Sequence, residues 1–322
     1  MDNTEIYELT VWKGDWGLPS VDRDCLQVLA YAKFSGIPLK IHTSGNPFVT
    51  PNGRLPVLRY KNNTLDSVKD IIEFFRSRNY NTEHALDRNE CAKVVAYDIM
   101  FKEKLFPALQ FIWWIDKKNF DELTRPWYSK ALPFPFKFYY PGKYEHEAHN
   151  MFESLYPIED NISAIENKVY SEAQKCLTLL STRLGDLEYF FGSQPTVLDA
   201  IIYSYLAPLL KAPLPNPALQ NHLKACTNLE KYVIRISQRY FGNEYKEYEK
   251  FKAEENSQKL RRDSESEFPN KRRNQVLAGI FAILAMAGYA FSTGLVEVLI
   301  YLLRSRTFIK LRKKKKRRTT SG

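Results

Sequence analysis

The sequence contains few cysteines, and none of them stand at a metal-binding or redox spacing. Four cysteines occur among 322 residues, and no Cys-x-x-Cys pair is present. This pattern excludes a disulfide framework and a cysteine zinc site, so we expect reduced, mostly buried thiols at Cys25, Cys91, Cys176 and Cys226. His146 and His149 are three residues apart, whereas the zinc protease motif needs a spacing of four. We therefore predict no metal site.

The first residues carry no targeting signal. The sequence begins Met-Asp-Asn-Thr-Glu and leads into a short alternating segment. An acidic start of this kind is neither a signal peptide nor an Arg-rich transit helix. We expect the bulk of the chain to stay in the cytosol.

The folded part of the chain also lacks an excess of charge. The net charge is +10, but ten Lys and Arg with no acid follow Leu303, which leaves 37 basic and 37 acidic residues before that point. A neutral body has no distributed basic face, so we predict no nucleic-acid partner. The basic run at 313–318 leaves nucleic-acid binding through the tail as a third hypothesis, although anionic lipid headgroups suit its position better.

One long segment has no charge at all. Residues 276–296 number twenty-one, sixteen of them apolar. A helix of that length reaches ~31 Å, about one hydrocarbon thickness. We predict a transmembrane helix whose anchoring side chains include Val276, Leu277, Ile280, Phe281, Ile283, Leu284, Phe291, Leu295 and Val296. A buried helix of a soluble domain is the alternative, but it would need a partner layer after residue 270.

The predicted anchor spans residues 271–303 and is followed by a basic tail at 304–322. Where the membrane segment ends stays open, because continuing it to Leu303 places Glu297 near the bilayer. A single span this close to the C-terminus predicts post-translational insertion, so we expect a tail-anchored protein.

Residues 1–80 are predicted to form a thioredoxin-like domain. A strand at 6–12, a helix opened by Ser20 or Val21 and a strand at 38–42 give a parallel β-α-β unit. Pro56 leads directly into a third strand, which suggests a cis peptide bond. A short fourth strand precedes a helix that Ser67 would cap, with Asp70 three residues on.

Residues 81–241 are predicted to be all-helical. Thr196 and Asp199 form an N-cap signature before an apolar helix. The aromatic segment at 127–142 is expected to be irregular, either as a loop over the core or as an exposed docking surface. Residues 242–270 are highly charged without helical periodicity, so we expect a solvated linker.

This order of elements resembles the α+β glutathione S-transferase fold, with a thioredoxin-like domain and an all-helical domain. Further motifs are similar to those of the metaxins. They are Trp16-Gly17-Leu18-Pro19-Ser20-Val21-Asp22, Glu103-Lys104-Leu105-x-Pro107, Trp114-Ile115-Asp116-x-Lys118-Asn119, Pro133-Phe134-Pro135, Cys176-Leu177-Thr178-Leu179-Leu180-Ser181-x-Arg183-Leu184-Gly185 and Arg272-Arg273-Asn274-Gln275.

The metaxin resemblance implies a domain on the cytosolic face of the mitochondrial outer membrane. It also implies a non-enzymatic role in protein import and in the sorting and assembly of β-barrel proteins. The implied partners are a second metaxin, the β-barrel core subunit of that machinery, and precursor proteins.

The alternative is a membrane-anchored glutathione S-transferase. Such an enzyme needs a Tyr, Ser or Cys after the first strand and a polar pair at a helix N-terminus. Ser20 is the weak catalytic candidate, and Pro56, Asp66 and Ser67 are vestigial glutathione-site candidates. Because Ser20 is equally explained as a helix cap, we predict no enzyme activity and no cofactor.

Overall fold

The computed structural model describes residues 6–44, 50–84, 86–159, 161–266 and 271–292. The chain divides into two compact units, residues 1–252 and 253–322. The predicted domain boundary at residue 80 lies inside the first unit, where a single hydrophobic core includes residues from both sides of that boundary.

The first unit begins with a four-stranded sheet in the order β2-β1-β3-β4. The strands are β1 (Tyr7–Trp12), β2 (Leu39–Ser44), β3 (Val57–Tyr60) and β4 (Asn63–Leu65). β1 pairs in parallel with β2, with Leu9 opposite Ile41, and β3 pairs antiparallel to both β1 and β4. Tyr7, Leu9 and Val11 are buried while Glu8 and Thr10 are half-buried, as expected of a strand with one face on the core.

Helix α1 (Arg23–Phe34) connects β1 to β2 and is buried over most of its surface. Its N-cap is Asp22, whose carboxylate accepts a hydrogen bond from the Cys25 backbone N–H at 2.9 Å. The expectation that Ser20 or Val21 opens this helix is therefore wrong. Ser20 is fully buried one turn earlier, and its hydroxyl accepts a hydrogen bond from the Asp22 N–H at 3.3 Å.

The second half of the sheet follows the expected order. The Leu55–Pro56 peptide bond is cis, as predicted. Helix α2 (Val68–Ser77) begins after Ser67, but the Ser67 side chain makes no capping hydrogen bond. The capping pair of Ser67 with Asp70 is thus not formed, and the first N–H groups of α2 lack that partner.

A long helical stretch opens the helical half of the first unit. It begins with α3 (Arg88–Met100), passes through a π-helical turn (Phe101–Leu105), continues as α4 (Phe106–Gln110) and ends in a second π-helical turn (Phe111–Ile115). Pro107 has no N–H to donate, so a change of hydrogen-bond pattern beside it is expected. Helix α5 (Lys117–Asn119) is a single turn, and a third π-helical turn (Phe120–Thr124) follows it.

The aromatic segment at 127–142 is mostly helical, contrary to the prediction. Helices α6 (Arg125–Ala131) and α7 (Phe136–Leu155) cover it, with Pro141 inside α7. Pro141 is in the second turn of α7, so the helix continues through it with one backbone N–H donor missing. The segment is also divided in burial: Tyr140 is buried, whereas Phe134, Phe138 and Tyr139 are 77 %, 71 % and 61 % exposed.

Four helices complete the first unit: α8 (Ile162–Leu184), α9 (Val197–Lys211), α10 (Ala218–Ala225) and α11 (Thr227–Tyr240). α9 is buried from Val197 to Leu210 and packs against α1. Thr196 and Asp199 form a capping box at its start. The buried Asp199 carboxylate also accepts hydrogen bonds from the Phe190 N–H at 3.1 Å and the Tyr232 hydroxyl at 3.0 Å.

Helix α12 (Gly242–Ser266) occupies most of the region predicted to be an irregular linker. The sequence has many charged residues there and no apolar stripe, so periodicity gave no helical signal. Charged side chains such as Glu, Lys and Arg are nevertheless good helix formers, which explains the difference. Residues 242–252 belong to the first unit and the remainder to the second.

Helix α13 (Lys271–Ser292) is the described part of the predicted anchor. Val276, Leu277, Ile280, Phe281, Ile283 and Leu284 on it are between 49 % and 75 % exposed. Among the described residues, no helix meets the length and apolarity that crossing a membrane requires. Leu295 and Val296, the last residues of the predicted span, lie outside the described residues.

We predict that Asp199→Ala destabilises the first unit by at least about 3 kcal/mol, because it leaves several buried donors without an acceptor. The matched control is Asp87→Ala. Asp87 forms the same capping box at the start of α3, but its bonds to Glu90 are exposed, so we expect a loss of about 1 kcal/mol. Urea unfolding followed by circular dichroism measures both, and equal losses would contradict the prediction.

Candidate functional site

A pocket of about 390 Å³ lies at the junction between the sheet half and the helical half of the first unit. Its walls come from the loop after β1, the start of α1, residues 54–55, the stretch 106–128 and α7. The chain has five tryptophans, and all five line this pocket: Trp12, Trp16, Trp113, Trp114 and Trp127. A volume of this size falls within the range of roughly 300–1,000 Å³ for small-molecule sites.

The aromatic rings of the pocket contact one another as a continuous wall. Trp16 stacks on Trp113 with ring centroids 5.9 Å apart and planes only 8° from parallel. Trp127 and Tyr128 meet edge to face at 4.9 Å, and Tyr128 lies 5.2 Å from Trp114. Such mutual contacts restrict each ring and give the wall a defined shape.

The loop at 13–22 holds its part of the wall by close backbone contacts. A side chain at Gly14 would collide with the Leu18 carbonyl oxygen, and Gly17 has a φ of +77° beside Tyr245. The Asp15 carboxylate accepts hydrogen bonds from the Trp16 N–H at 2.7 Å and from the Trp127 indole N–H at 2.8 Å. This residue therefore links the loop to α6 across the junction.

Charged residues at the start of α1 reach the same pocket. The Arg23 guanidinium lies over the Phe106 ring at 4.6 Å, pairs with Asp24 at 2.5 Å and donates to the Tyr205 hydroxyl at 2.6 Å. Burial, followed by the negative charge of Asp24, raises the pKa of Asp22 to about 6. The Asp22 carboxylate therefore stands in surroundings that oppose its charge.

The mouth of the pocket carries a second, weaker ion pair. Arg54 approaches Glu147 at 3.5 Å, and Lys143 lies 3.8 Å from the same carboxylate. The Arg54 side chain is 66 % exposed, so its pairing contributes at most about 1 kcal/mol.

Two kinds of hydroxyl line the pocket, and neither is activated. Thr124 is 2 % exposed, and its hydroxyl has no hydrogen-bond partner. Burial and the charge of Asp22 raise the pKa of Tyr128 and Tyr144 well above the usual tyrosine value. No serine, cysteine or histidine occurs among the described lining residues, so the arrangement favours binding over nucleophilic chemistry.

The residues predicted to hold glutathione are not gathered in this pocket. Ser20, Pro56, Asp66 and Ser67 are absent from its described lining, although Leu55 beside Pro56 belongs to it. Ser20 and Pro56 are buried, and Asp66 and Ser67 are half-buried near the start of α2. Cys25 is fully buried and its sulfur accepts from the Trp12 N–H, which agrees with a core residue.

Sequence reasoning missed the pocket itself. Its tryptophans come from two distant regions of the chain, 12–16 and 113–127, and no spacing rule connects them. One signal for the pocket was available in the sequence: all five tryptophans fall within two short regions of the chain. Within the described ranges, no cluster of three His, Cys, Asp or Glu is arranged to hold a metal ion.

Two family models match the chain. Residues 25–145 match Tom37, described as an outer mitochondrial membrane transport complex protein. Residues 173–236 match the glutathione S-transferase C-terminal domain.

Solved structures with the same fold include the β-etherase LigF of Sphingobium sp. strain SYK-6, with a TM-score of 0.51 at 12 % identity over 75 % of this chain and 98 % of that one. A glutathione transferase of Phanerochaete chrysosporium gives a TM-score of 0.50 at 14 % identity over 73 % of this chain and 97 % of that one. At these identities the likeness is one of fold alone: a thioredoxin-like sheet joined to a helical domain of the glutathione S-transferase type.

Relatives in sequence are much more similar. Metaxin-1 of Bos taurus is 42 % identical over 295 residues, which cover 90 % of this chain and 91 % of the relative. Metaxin-3 of Xenopus laevis is 41 % identical over 73 % of this chain and 76 % of the relative. The Metaxin-1 homolog of Drosophila melanogaster is 33 % identical over 90 % of both chains. The chain belongs to the metaxin family.

Proposed function

We propose that the protein is a non-enzymatic subunit of the mitochondrial outer-membrane import and β-barrel sorting machinery. It acts there as a cytosol-facing receptor or assembly factor. The observation that carries this proposal is the 42 % identity to Metaxin-1 over 90 % of the chain. The match to a family described as outer mitochondrial membrane transport complex proteins supports the location.

The proposed attachment to the membrane is through residues 276–296. They contain no charged residue, and the apolar side chains described on α13 are exposed along it, Phe281 at 75 % and Met286 at 66 %. Exposed apolar side chains gain free energy when they enter a bilayer. In this arrangement residues 1–241 face the cytosol, and the basic tail at 304–322 follows the span.

The proposed partners are a second metaxin, the β-barrel core subunit and precursor proteins. An exposed aromatic patch formed by Phe134, Phe138 and Tyr139 is the part of the first unit that we assign to a protein contact. Phe134 and Phe138 meet edge to face at 6.3 Å, and the Lys137 amine lies 5.0 Å from the Phe138 ring. Exposed aromatic residues are enriched at the centres of protein interfaces.

The absence of enzyme activity is part of the same proposal. The Ser20 hydroxyl, the only well-placed candidate after β1, is fully buried and engaged with the Asp22 N–H. A thiolate would need a hydroxyl or another donor exposed to it. The neighbouring tyrosines have raised pKa values, so they are poor substitutes.

A membrane-anchored glutathione transferase is the second candidate, and one observation favours it. Ser67 precedes α2 without capping it, so its hydroxyl and the first N–H groups of that helix can receive a carboxylate. This would provide part of a glutathione site without the group that activates the thiol.

We predict that Met286→Arg releases the protein from mitochondrial membranes in alkaline carbonate, whereas Met286→Leu leaves it in the pellet. An arginine at the centre of a span costs about 2.5–3.5 kcal/mol, a large part of what the apolar residues supply. Membrane and soluble fractions are compared by immunoblot.

Deletion of residues 304–322 serves as the control for the tail and should leave the protein in the membrane fraction. Extraction of the unaltered chain by carbonate would contradict the anchor.

We predict that the double variant Phe134→Ser/Phe138→Ser leaves the large complex and migrates as a smaller species on native gels of gently solubilised mitochondria. The two substitutions remove exposed aromatic side chains from the proposed interface. Each truncation costs about 1 kcal/mol or more of binding free energy. A matched pair of exposed apolar residues, Val95→Ser/Ile99→Ser, should leave the complex unchanged. Migration of both variants with the unaltered complex would exclude this patch as the contact.

We predict no retention on glutathione resin and no turnover of a chlorinated aromatic substrate by the purified chain. Turnover should be absent because the Ser20 hydroxyl is buried, and retention should be absent because Pro56, Asp66 and Ser67 do not line the pocket. If turnover is found, Ser20→Ala and Ser67→Ala separate the two roles, because the first removes the thiol partner and the second removes a glutathione contact. Turnover that Ser20→Ala abolishes would replace the proposed function with the enzymatic one.

A further inference from the structure

Five indoles and two phenols line the pocket at the junction. Tyr128 and Tyr144 complete the tryptophan wall, with ring centroids 5.9 Å apart. The face of an aromatic ring carries negative potential, and it attracts cations within about 6 Å of its centre. A site built from several such rings discriminates by charge as well as by shape.

The charged lining of the pocket is also negative. It contains three carboxylates, Asp22, Asp24 and Glu147, and two guanidinium groups, Arg23 and Arg54. Arg23 pairs with Asp24, and Arg54 pairs with Glu147. Among the described residues, Asp22 has no ion pair within 4.0 Å, so only the longer-range attraction of Arg23 offsets its charge beside the aromatic wall.

Thr124 adds an unmet hydrogen-bonding group to the same lining. It is 2 % exposed, and its hydroxyl has no partner although its residue borders the pocket. Buried hydroxyls in folded proteins are nearly always paired with protein, water or ligand. The hydroxyl itself is buried below the pocket surface, so the proposed ligand contacts do not include it.

We propose that this pocket binds a small organic ammonium ion, with its positive head group between the tryptophan wall and Asp22. The same features oppose an anionic peptide such as glutathione, because its carboxylates would face unpaired negative charge. This site is independent of the membrane anchor and of the proposed protein contacts.

The charge on Asp22 gives the site a defined pH dependence. On its own helix Asp22 is flanked by Arg23 and Asp24, and Tyr128 and Tyr144 face it from α6 and α7. The Asp22 pKa of about 6 in the empty pocket means that the carboxylate is ionised at neutral pH and protonated in mild acid. Ammonium binding should weaken as the pH falls below about 6.

The test uses the full chain in a maltoside detergent, which carries no ammonium group. Choline is the probe, and 3,3-dimethyl-1-butanol, which has the same shape and hydroxyl without the charge, is the matched neutral compound. Because every tryptophan of the chain lines the pocket, intrinsic fluorescence reports binding directly, and calorimetry gives the affinity. We expect choline to bind about tenfold more tightly than the neutral compound.

Two variants assign the roles of the lining residues. Asp22→Asn keeps an N-cap of equal quality, removes the charge and should weaken choline about tenfold without lowering the unfolding midpoint at pH 7. Thr124→Val removes a hydroxyl that the ligand does not contact, so it should leave the affinity for choline unchanged. Asp87→Asn makes the same change at the exposed cap of α3 and should leave the affinity unchanged.

Glycerophosphocholine separates a lipid headgroup from a free ammonium ion as the source of the ligand. Affinity equal to that of choline indicates a headgroup, and weaker affinity indicates a free ion. Equal binding of choline and its neutral counterpart would overturn the proposal, as would unchanged choline affinity in the folded Asp22→Asn variant. The absence of both a fluorescence change and a measurable heat with choline, tetramethylammonium and glycerophosphocholine would overturn it as well.

Discussion

The first unit depends on one helix that is buried on two sides. α1 packs against the sheet on one side and against α9 on the other, and seven of its residues are buried. Burying one large apolar side chain contributes about 1.5–3 kcal/mol, so this helix supplies a substantial part of the free energy that holds the two halves together. Separating the sheet half from the helical half would expose the face of α1 that packs against α9.

The same constraint places charge at the junction. Because the axis of α1 is fixed by burial, its first residues must lie where the two halves meet. Asp22 is held there as the cap of the helix, and Arg23 is held by its contacts with Phe106, Tyr205 and Asp24. The guanidinium contacts aromatic rings and pairs with the Asp24 carboxylate, so the Asp22 carboxylate feels it only at longer range. The electrostatic character of the pocket is thus a consequence of how the helix is packed.

Much of the fold could be predicted because its signals are local. The alternation in β1, the apolar face of α1 and the Thr196 to Asp199 spacing all involve residues within a few positions of one another. The errors have physical causes as well. α12 lacks an apolar stripe but consists of good helix formers, and α7 continues through Pro141 although the proline removes one N–H donor.

The site could not be predicted in the same way. Trp16 and Trp113 are far apart in sequence, and they stack only because the loop after β1 folds over the helical half. In the sequence, Ser20 was the candidate catalytic residue because it follows Pro19 in the loop after β1. Two residues later, Asp22 is the stronger cap, and once it takes that position the Ser20 hydroxyl turns inward to accept from it. The position of Asp22 as the helix cap therefore accounts for the inward orientation of Ser20, the catalytic candidate.

The proposed lack of enzyme activity rests on this burial of Ser20, because function resides in the site and not in the fold. To expose Ser20, the loop at 13–22 would have to move. The Asp15 bond to the Trp127 indole and the stacking of Trp16 on Trp113 both oppose that movement. These contacts cross from the sheet half to the helical half, so opening the loop would disturb the junction as well. The contacts that build the aromatic pocket therefore also oppose exposure of Ser20. Exposing its hydroxyl would require breaking the contacts of the aromatic wall.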